Sequence, residues 1–141
     1  MVRGAPATST GPGIGDLEAL YRRMRDAGLR VRVEVHGTPS PLPPAAELAA
    51  YRVVQEAMTN VLKHADRREA TVVVDHRANG THLEISSPHI DRVPTPHSPS
   101  PTGLGLTGMR DRVLTQQGRF SAGPEPDGRF VVRAWLPRGD R

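Results

Sequence analysis

The chain has 141 residues, which suits one domain with a single core and leaves too little for two independent ones. It contains no cysteine, so disulfides and thiolate metal sites are excluded, and its six histidines lack ligand-like spacing. The formal net charge is +4, but the basic residues are mixed with acidic ones and aromatics are only 4% of the chain. With no stacking platform for nucleic acid and no membrane-length apolar run, we expect a cytoplasmic domain that contacts neither nucleic acid nor membrane.

The chain opens with residues rich in Gly, Pro, Ser and Thr and without periodicity. We interpret residues 1–13 as a disordered linker or an appended remnant, residues 14–138 as one domain and residues 139–141 as a tail. From Asp16, apolar spacing predicts a short amphipathic helix that Gly28 is able to end. The alternation in LRVRVEVHG then predicts a strand with one wet face.

The longest predicted helix runs from about Ala45 to Ala65, after prolines that are tolerated only at a helix start. Two strands follow, joined by a turn at Asn79-Gly80. A proline-rich stretch over about 88–105 is typical of a functional lid or of disorder. A helix capped by Gly118 and a closing hairpin around 126–128 complete an α+β fold, a two-layer sandwich whose mixed, mostly antiparallel sheet packs on about three helices.

A narrow polar stripe runs along the long helix. At about 100° per residue, Glu56, Asn60 and Lys63 lie on one side and the apolar positions on the other. A solvated face is the plain interpretation, with charge pairs worth a few tenths of a kcal/mol. Asparagine is, however, poor inside a helix, its amide oxygen beside a carboxylate suits magnesium, and Lys63 is the only lysine of a chain that otherwise uses arginine.

The second candidate element is TGLGLTGMRDR, where Gly103, Gly105 and Gly108 lead into a helix. Glycines allow the backbone to approach a ligand closely, and a helix N-terminus offers unpaired N–H groups with partial positive charge. The combination suits phosphate, while a flexible loop before a capped helix remains the alternative. The segment matches neither the P-loop nor the dinucleotide fingerprint.

Together, YRVVQEAMTNVLKHA and GLGLTGMRDRV closely resemble the N-box and second glycine box of sensor histidine kinases, of the class that signals to NarL-type response regulators. The resemblance covers roughly residues 15–137, including LRVRVEVHG, LPPAAELAAYR and GRFVVRAWLP. It implies the Bergerat fold of GHKL ATPases, in which ATP lies between helices and sheet under a mobile lid.

The resemblance also implies roles for individual residues. Asn60 would bind the Mg²⁺ that bridges the phosphates of ATP, and Glu56 would help to activate the phosphoacceptor histidine or water. Lys63 and His64 would contact the phosphates. The implied phosphate loop and lid hinge comprise Gly103, Leu104, Gly105, Leu106 and Gly108.

The chain departs from the family in LEISSPHID, where an Asp-x-Gly-x-Gly motif normally follows the strand and its aspartate accepts from the adenine amino group. Ser87 aligns with that aspartate. A neutral hydroxyl bonds about half as strongly as a carboxylate, so nucleotide binding is expected to be weaker or less selective. No histidine has the setting of the family's phosphoacceptor, which implies that this histidine lies on another domain or chain.

The leading hypothesis is therefore the catalytic domain of a histidine kinase, a phosphotransferase that uses ATP and Mg²⁺. A kinase anchored in a membrane by another segment is compatible with this hypothesis. The partners of the catalytic domain would be a phosphoacceptor histidine domain and, indirectly, a NarL-type response regulator. The altered SSPHI favours a different hypothesis, a degenerate, anti-sigma-like module that binds a partner. A basic nucleic-acid binder is a third, and it gives no role to Asn60 or the glycines.

Overall fold

The computed structural model describes residues 11–88 and 105–139. A 3-10 turn at Ile14–Asp16 precedes three helices and five strands. The helices are α1 (Leu17–Asp26), α2 (Pro44–His64) and α3 (Leu106–Thr115). The strands are β1 (Arg30–His36), β2 (Glu69–Arg77), β3 (Gly80–Ser87), β4 (Arg119–Pro124) and β5 (Phe130–Pro137). Their order along the chain is the predicted one. Most of the predicted linker (1–13), lid (about 88–105) and tail (139–141) lies outside the described residues.

The five strands form one sheet in the order β1-β2-β3-β5-β4. Strand β1 pairs with β2 in parallel, because α2 carries the chain back between them, while the other neighbours are antiparallel. All three helices contribute to the apolar core against the sheet. The predicted two-layer sandwich with a mixed, mostly antiparallel sheet is confirmed.

The core lies between α2 and the inner face of the sheet. Alternate strand residues point inward, as the period of two requires. The buried ones on the three central strands include Val72, Val74, Leu83, Ile85, Val132, Ala134 and Leu136. From α2 they meet Val53, Val54, Met58 and Val61, all at most 2% exposed. Within the described residues, no helix is long and apolar enough to span a membrane.

Glu47 links the start of α2 to the N-terminal 3-10 turn and to the segment just before the helix. Its carboxylate accepts hydrogen bonds from the backbone N–H of Ile14 at 2.8 Å and of Leu42 at 3.0 Å. No side chain caps the N-terminus of α2, and Glu47 lies in the first turn of the helix. A negative charge is favourable at this position because of the helix dipole. The contacts set the position of α2, on which the polar stripe lies.

The ends of two helices test the glycine predictions. Gly28 follows α1 and has a φ of +106°, so it ends the helix as predicted. After α3, however, Gln117 takes the left-handed conformation, with φ of +63°, and the prediction that Gly118 supplies it is wrong. Gly118 is required for another reason, since a Cβ there would collide with the backbone oxygen of Trp135 and lie 2.8 Å from Val113 Cγ1.

The turn between β2 and β3 is displaced by one residue from its prediction. Arg77 pairs with Gly80, so the two turn residues are Ala78 and Asn79, and Gly80 is the first residue of β3. A Cβ on Gly80 would lie 2.5 Å from the backbone oxygen of Leu136 and 2.7 and 2.8 Å from ring carbons of Trp135. The glycine therefore makes room for an aromatic ring on the neighbouring strand.

Candidate functional site

Three elements that carry the predicted residues meet at one end of the sheet. Helix α2 connects the parallel strands β1 and β2 and is therefore antiparallel to both. Its C-terminal half lies toward the N-terminal end of β2. Strand β3 is antiparallel to β2 and pairs Ser86 with Thr71, so Ser87 is at this same end. Helix α3 begins beside α2, where Gly105 lies against Glu56. The topology thus brings residues that are up to about fifty positions apart to one place.

The polar stripe of α2 is not solvated along its whole length. Asn60 is 3% exposed and Glu56 is partly buried, whereas Lys63 is exposed. Burying an amide costs roughly 1–3 kcal/mol unless its hydrogen-bonding groups are satisfied. The burial of Asn60 argues against the plain interpretation of the stripe, because a solvated asparagine in mid-helix would lie outside.

Glu56 is packed against the start of α3. Gly105 occupies the N-cap position of α3 with φ of +65°, and a Cβ there would lie 2.6 Å from Glu56 Oε2 and 3.0 Å from its Cδ. Glycine is favoured there by the left-handed conformation, and a Cβ would also require the Glu56 side chain to move. The Glu56 carboxylate therefore lies at the N-terminus of α3, and the buried Asn60 follows it one turn later on α2.

Lys63 and His64 occupy the last turn of α2, where cations are favoured by the helix dipole. Lys63 is exposed and His64 is partly buried. Lys63 lies seven residues, about two turns, after Glu56, so it extends the stripe beyond Asn60 toward the end of the helix. Its flexible stem gives the charge a wide reach from that position.

Ser87 ends β3 on the inner side of the sheet, opposite Phe130 of β5. It is 4% exposed, and its Oγ has no hydrogen-bond partner among the described residues. An unsatisfied buried hydroxyl is costly, which makes Ser87 suited to a ligand group that supplies the missing partner.

The glycine segment is only partly described. Gly103 and Leu104 lie outside the described residues. Leu106 is partly buried against the core, and Gly108 lies exposed in the first turn of α3. A Cβ on Gly108 would meet nothing closer than Arg112 Nη1 at 3.5 Å, so the helix itself does not require this glycine.

The described residues contain no group of three His, Cys, Asp or Glu side chains that could hold a metal ion. A metal at this site would need ligands from elsewhere in addition to any amide oxygen of Asn60. Mg²⁺ commonly binds in this manner, with one or two protein oxygens and the remaining positions filled by phosphate oxygens and water.

One feature of the surface was not anticipated from the sequence. The outer face of the sheet carries a cleft that includes Arg77, Arg119, Arg133 and Trp135. The only available signal was the alternation of charged and apolar residues along β5, which the sequence interpretation used for the core alone.

The fold is shared with solved histidine kinases. The chain matches the catalytic domain of histidine kinase ThkA with a TM-score of 0.65 at 12% identity, over 88% of this chain and 88% of that one. It matches the histidine kinase domain of the blue-light activated kinase EL346 of Erythrobacter litoralis with a TM-score of 0.66 at 16% identity, over 95% of this chain and 70% of that one. At these identities, the similarity establishes the fold alone.

The sequence defines the family. The profile of the histidine kinase-, DNA gyrase B-, and HSP90-like ATPases matches residues 45–140, more than half of the chain, and the chain belongs to this family. A curated relative, the sensor histidine kinase YxjM of Bacillus subtilis (strain 168), is 29% identical over 120 residues, which are 82% of this chain and 28% of the relative. The chain thus spans less than a third of that relative's length.

Proposed function

We propose that this chain is the ATP-binding catalytic domain of a two-component sensor histidine kinase, which positions Mg-ATP for transfer of the γ-phosphoryl group to a histidine on another domain. The observation that carries the proposal is the Glu56 carboxylate packed against Gly105, one turn from the buried Asn60. Phosphoryl transfer depends mainly on positioning and on charge neutralisation, and Gly105 is the N-cap of α3, a kind of position where anions bind readily.

The residues fit a magnesium nucleotide. Asn60 would offer its amide oxygen to Mg²⁺, and the bound ion would neutralise charge on the phosphates. Lys63 would add a mobile cation to the phosphates, with His64 beside it. Glu56 would orient the incoming histidine or water and accept its proton. The absence of a side chain at Gly105 leaves the backbone of the loop open to close approach by phosphate.

We further propose that Ser87 contacts the adenine base. Its hydroxyl is buried and has no partner among the described residues, so a base amino group could donate to it. Residues 88–105, including Gly103 and Leu104, would close over the nucleotide as a lid, with the glycines as the phosphate loop and hinge. A neutral hydroxyl binds an amino group less strongly than a carboxylate, so we expect a modest affinity for ATP.

The wider context is also a proposal. The phosphoacceptor histidine would lie on another domain of the same kinase or on another chain, since the related sensor kinase is more than three times longer than the matched segment. The kinase would be cytoplasmic at this domain, which is compatible with a membrane anchor elsewhere, and would signal to a NarL-type response regulator.

Calorimetric titration with ADP and a non-hydrolysable ATP analogue, with and without magnesium, tests the proposal. Asn60→Ala should abolish the increase in nucleotide affinity that magnesium causes. It should change the affinity measured without magnesium much less. Asn79→Ala is the matched control, because the chain's other asparagine lies in the exposed β2–β3 turn. If no nucleotide binds at millimolar concentration, the proposal fails and a partner-binding module becomes the leading account.

A further inference from the structure

The outer face of the sheet, opposite the helices and the proposed nucleotide site, carries a cleft of about 480 Å³. Its centre is one row of paired residues across three strands, in which Trp135 of β5 has His82 of β3 on one side and Arg119 of β4 on the other. Directly paired residues share a face, so the three side chains stand together on the outside. The volume lies within the usual range of small-ligand sites.

An indole ring forms the floor of this cleft. The ring of Trp135 lies over the backbone of Gly80, where a Cβ would come within 2.7 Å of Cζ2. Trp135 is only partly buried, so the ring keeps an accessible surface after this packing. An aromatic face held in place in this way is suited to stack with another planar group.

The side chains around the ring are basic. The charged and titratable residues that line the cleft are Arg77, His82, Arg119 and Arg133, and no aspartate or glutamate is among them. Two of the arginines are held by carboxylates nearby. Arg77 pairs with Asp75 at 2.7 Å, and Arg133 pairs with Glu84 at 3.1 Å and Glu125 at 3.2 Å.

Arg119 differs from the other two. It is exposed, and within the described part of the chain its guanidinium has no ion pair or hydrogen bond. At the edge of the cleft, Arg138 donates hydrogen bonds to the backbone oxygens of Arg77 and Ala78 in the β2–β3 turn. One arginine is therefore available to a ligand beside two that are already fixed in place.

We propose that this cleft binds a small anion carried on a planar ring, a carboxylate or a phosphate attached to an aromatic group. The ring would stack on Trp135, and the anionic group would accept bidentate hydrogen bonds from Arg119. The site is separate from the proposed nucleotide site, because the sheet lies between them, and it does not depend on that proposal.

Trp135 is the only tryptophan of the chain, so its fluorescence reports on this cleft alone. The protein is titrated with benzoate and with phenyl phosphate, which separate the two kinds of anion. Benzyl alcohol supplies a ring without charge, and inorganic phosphate supplies charge without a ring. Arg119→Gln removes the available cation. Arg32→Gln is the matched control, because Arg32 is an exposed arginine on the same face of the sheet, four strands away on β1.

We expect a saturable fluorescence change with at least one ring anion, weakened about tenfold in Arg119→Gln and within twofold of wild type in Arg32→Gln. The two control ligands should bind at least tenfold more weakly. The affinity of the wild-type chain for the ring anion should also fall as the salt concentration is raised, and this test does not depend on a variant that folds. Equal binding of benzyl alcohol or inorganic phosphate, an unchanged affinity in Arg119→Gln, or no saturable change with either ring anion would overturn the proposal.

Discussion

Replacing Gly105 by alanine tests the geometry of the candidate site most sharply. The left-handed conformation at φ of +65° costs a residue with a Cβ about 1–2 kcal/mol. The new Cβ would also lie 2.6 Å from Glu56 Oε2 and 3.2 Å from its Cγ, so the glutamate must leave its rotamer at a further cost of about 1 kcal/mol. We expect Gly105→Ala to lower the free energy of unfolding by about 2–3 kcal/mol.

Gly108→Ala is the matched control. Gly108 lies within α3, and a Cβ there has open space to 3.5 Å, so alanine should stabilise the helix by up to about 1 kcal/mol. Urea unfolding followed by circular dichroism measures both variants. In a Glu56→Ala background, the cost of Gly105→Ala should fall by the part due to the collision, about 1 kcal/mol. A neutral or stabilising Gly105→Ala would refute the placement of Glu56 against this glycine.

Three further changes follow from the same structure. Ser87→Asp should strengthen ATP binding about tenfold in calorimetry and lower the thermal stability of the free chain, since it buries a carboxylate. Burial raises the pKa of Tyr21 to about 12, so stability present below pH 10 should decline by about 2–3 kcal/mol as pH rises through 12, and Tyr21→Phe should not show this decline in urea titrations. Gly118→Ala should cost about 3 kcal/mol or more, because its Cβ meets the Trp135 backbone, while Gly123→Ala, with open space, should cost little.

Each of these expectations has a result that contradicts it. Unchanged or weaker ATP binding by Ser87→Asp would remove Ser87 from the base site. An alkaline decline that persists in Tyr21→Phe, or that disappears in Tyr51→Phe instead, would assign the titration to another group. Equal stability of the two glycine variants would mean that the approach of β5 to the end of α3 is looser than described.

The sequence carried enough information for the fold because its periodicities were clear. The alternation of Val31, Val33 and Val35 and the long amphipathic pattern of α2 each identified an element within a residue or so of its observed bounds. The sheet order was a different matter, since it depends on contacts between distant strands and no local pattern encodes it. The parallel pairing of β1 with β2 became visible only in three dimensions.

The glycines show where local reasoning fails. Gly80 and Gly118 were assigned to a turn and to a helix cap because glycine tolerates positive φ. The structure instead uses both for close approach to Trp135, a residue at least 17 positions away along the chain, and Gln117 supplies the left-handed conformation. Composition and spacing cannot reveal a steric requirement that comes from a neighbouring strand.

For the candidate site, the polar stripe identified Glu56 and Asn60, and the glycine segment identified Gly105. What the stripe could not reveal is burial. Lys63 and Asn60 are both polar residues of the stripe, yet Lys63 is exposed and Asn60 is buried, with 3% of its surface exposed. The contact of Glu56 with Gly105 joins residues 49 positions apart, which only the packing of α3 on α2 explains.

Hydrogen–deuterium exchange with and without magnesium and a non-hydrolysable ATP analogue would show where on the domain the nucleotide binds. We expect increased protection in the C-terminal half of α2, around 56–64, and at the start of α3, around 105–109. We expect no change on the outer face of the sheet around Arg119 and Trp135. Protection confined to that outer face, or no protection at saturating nucleotide, would contradict the proposed site between α2 and α3.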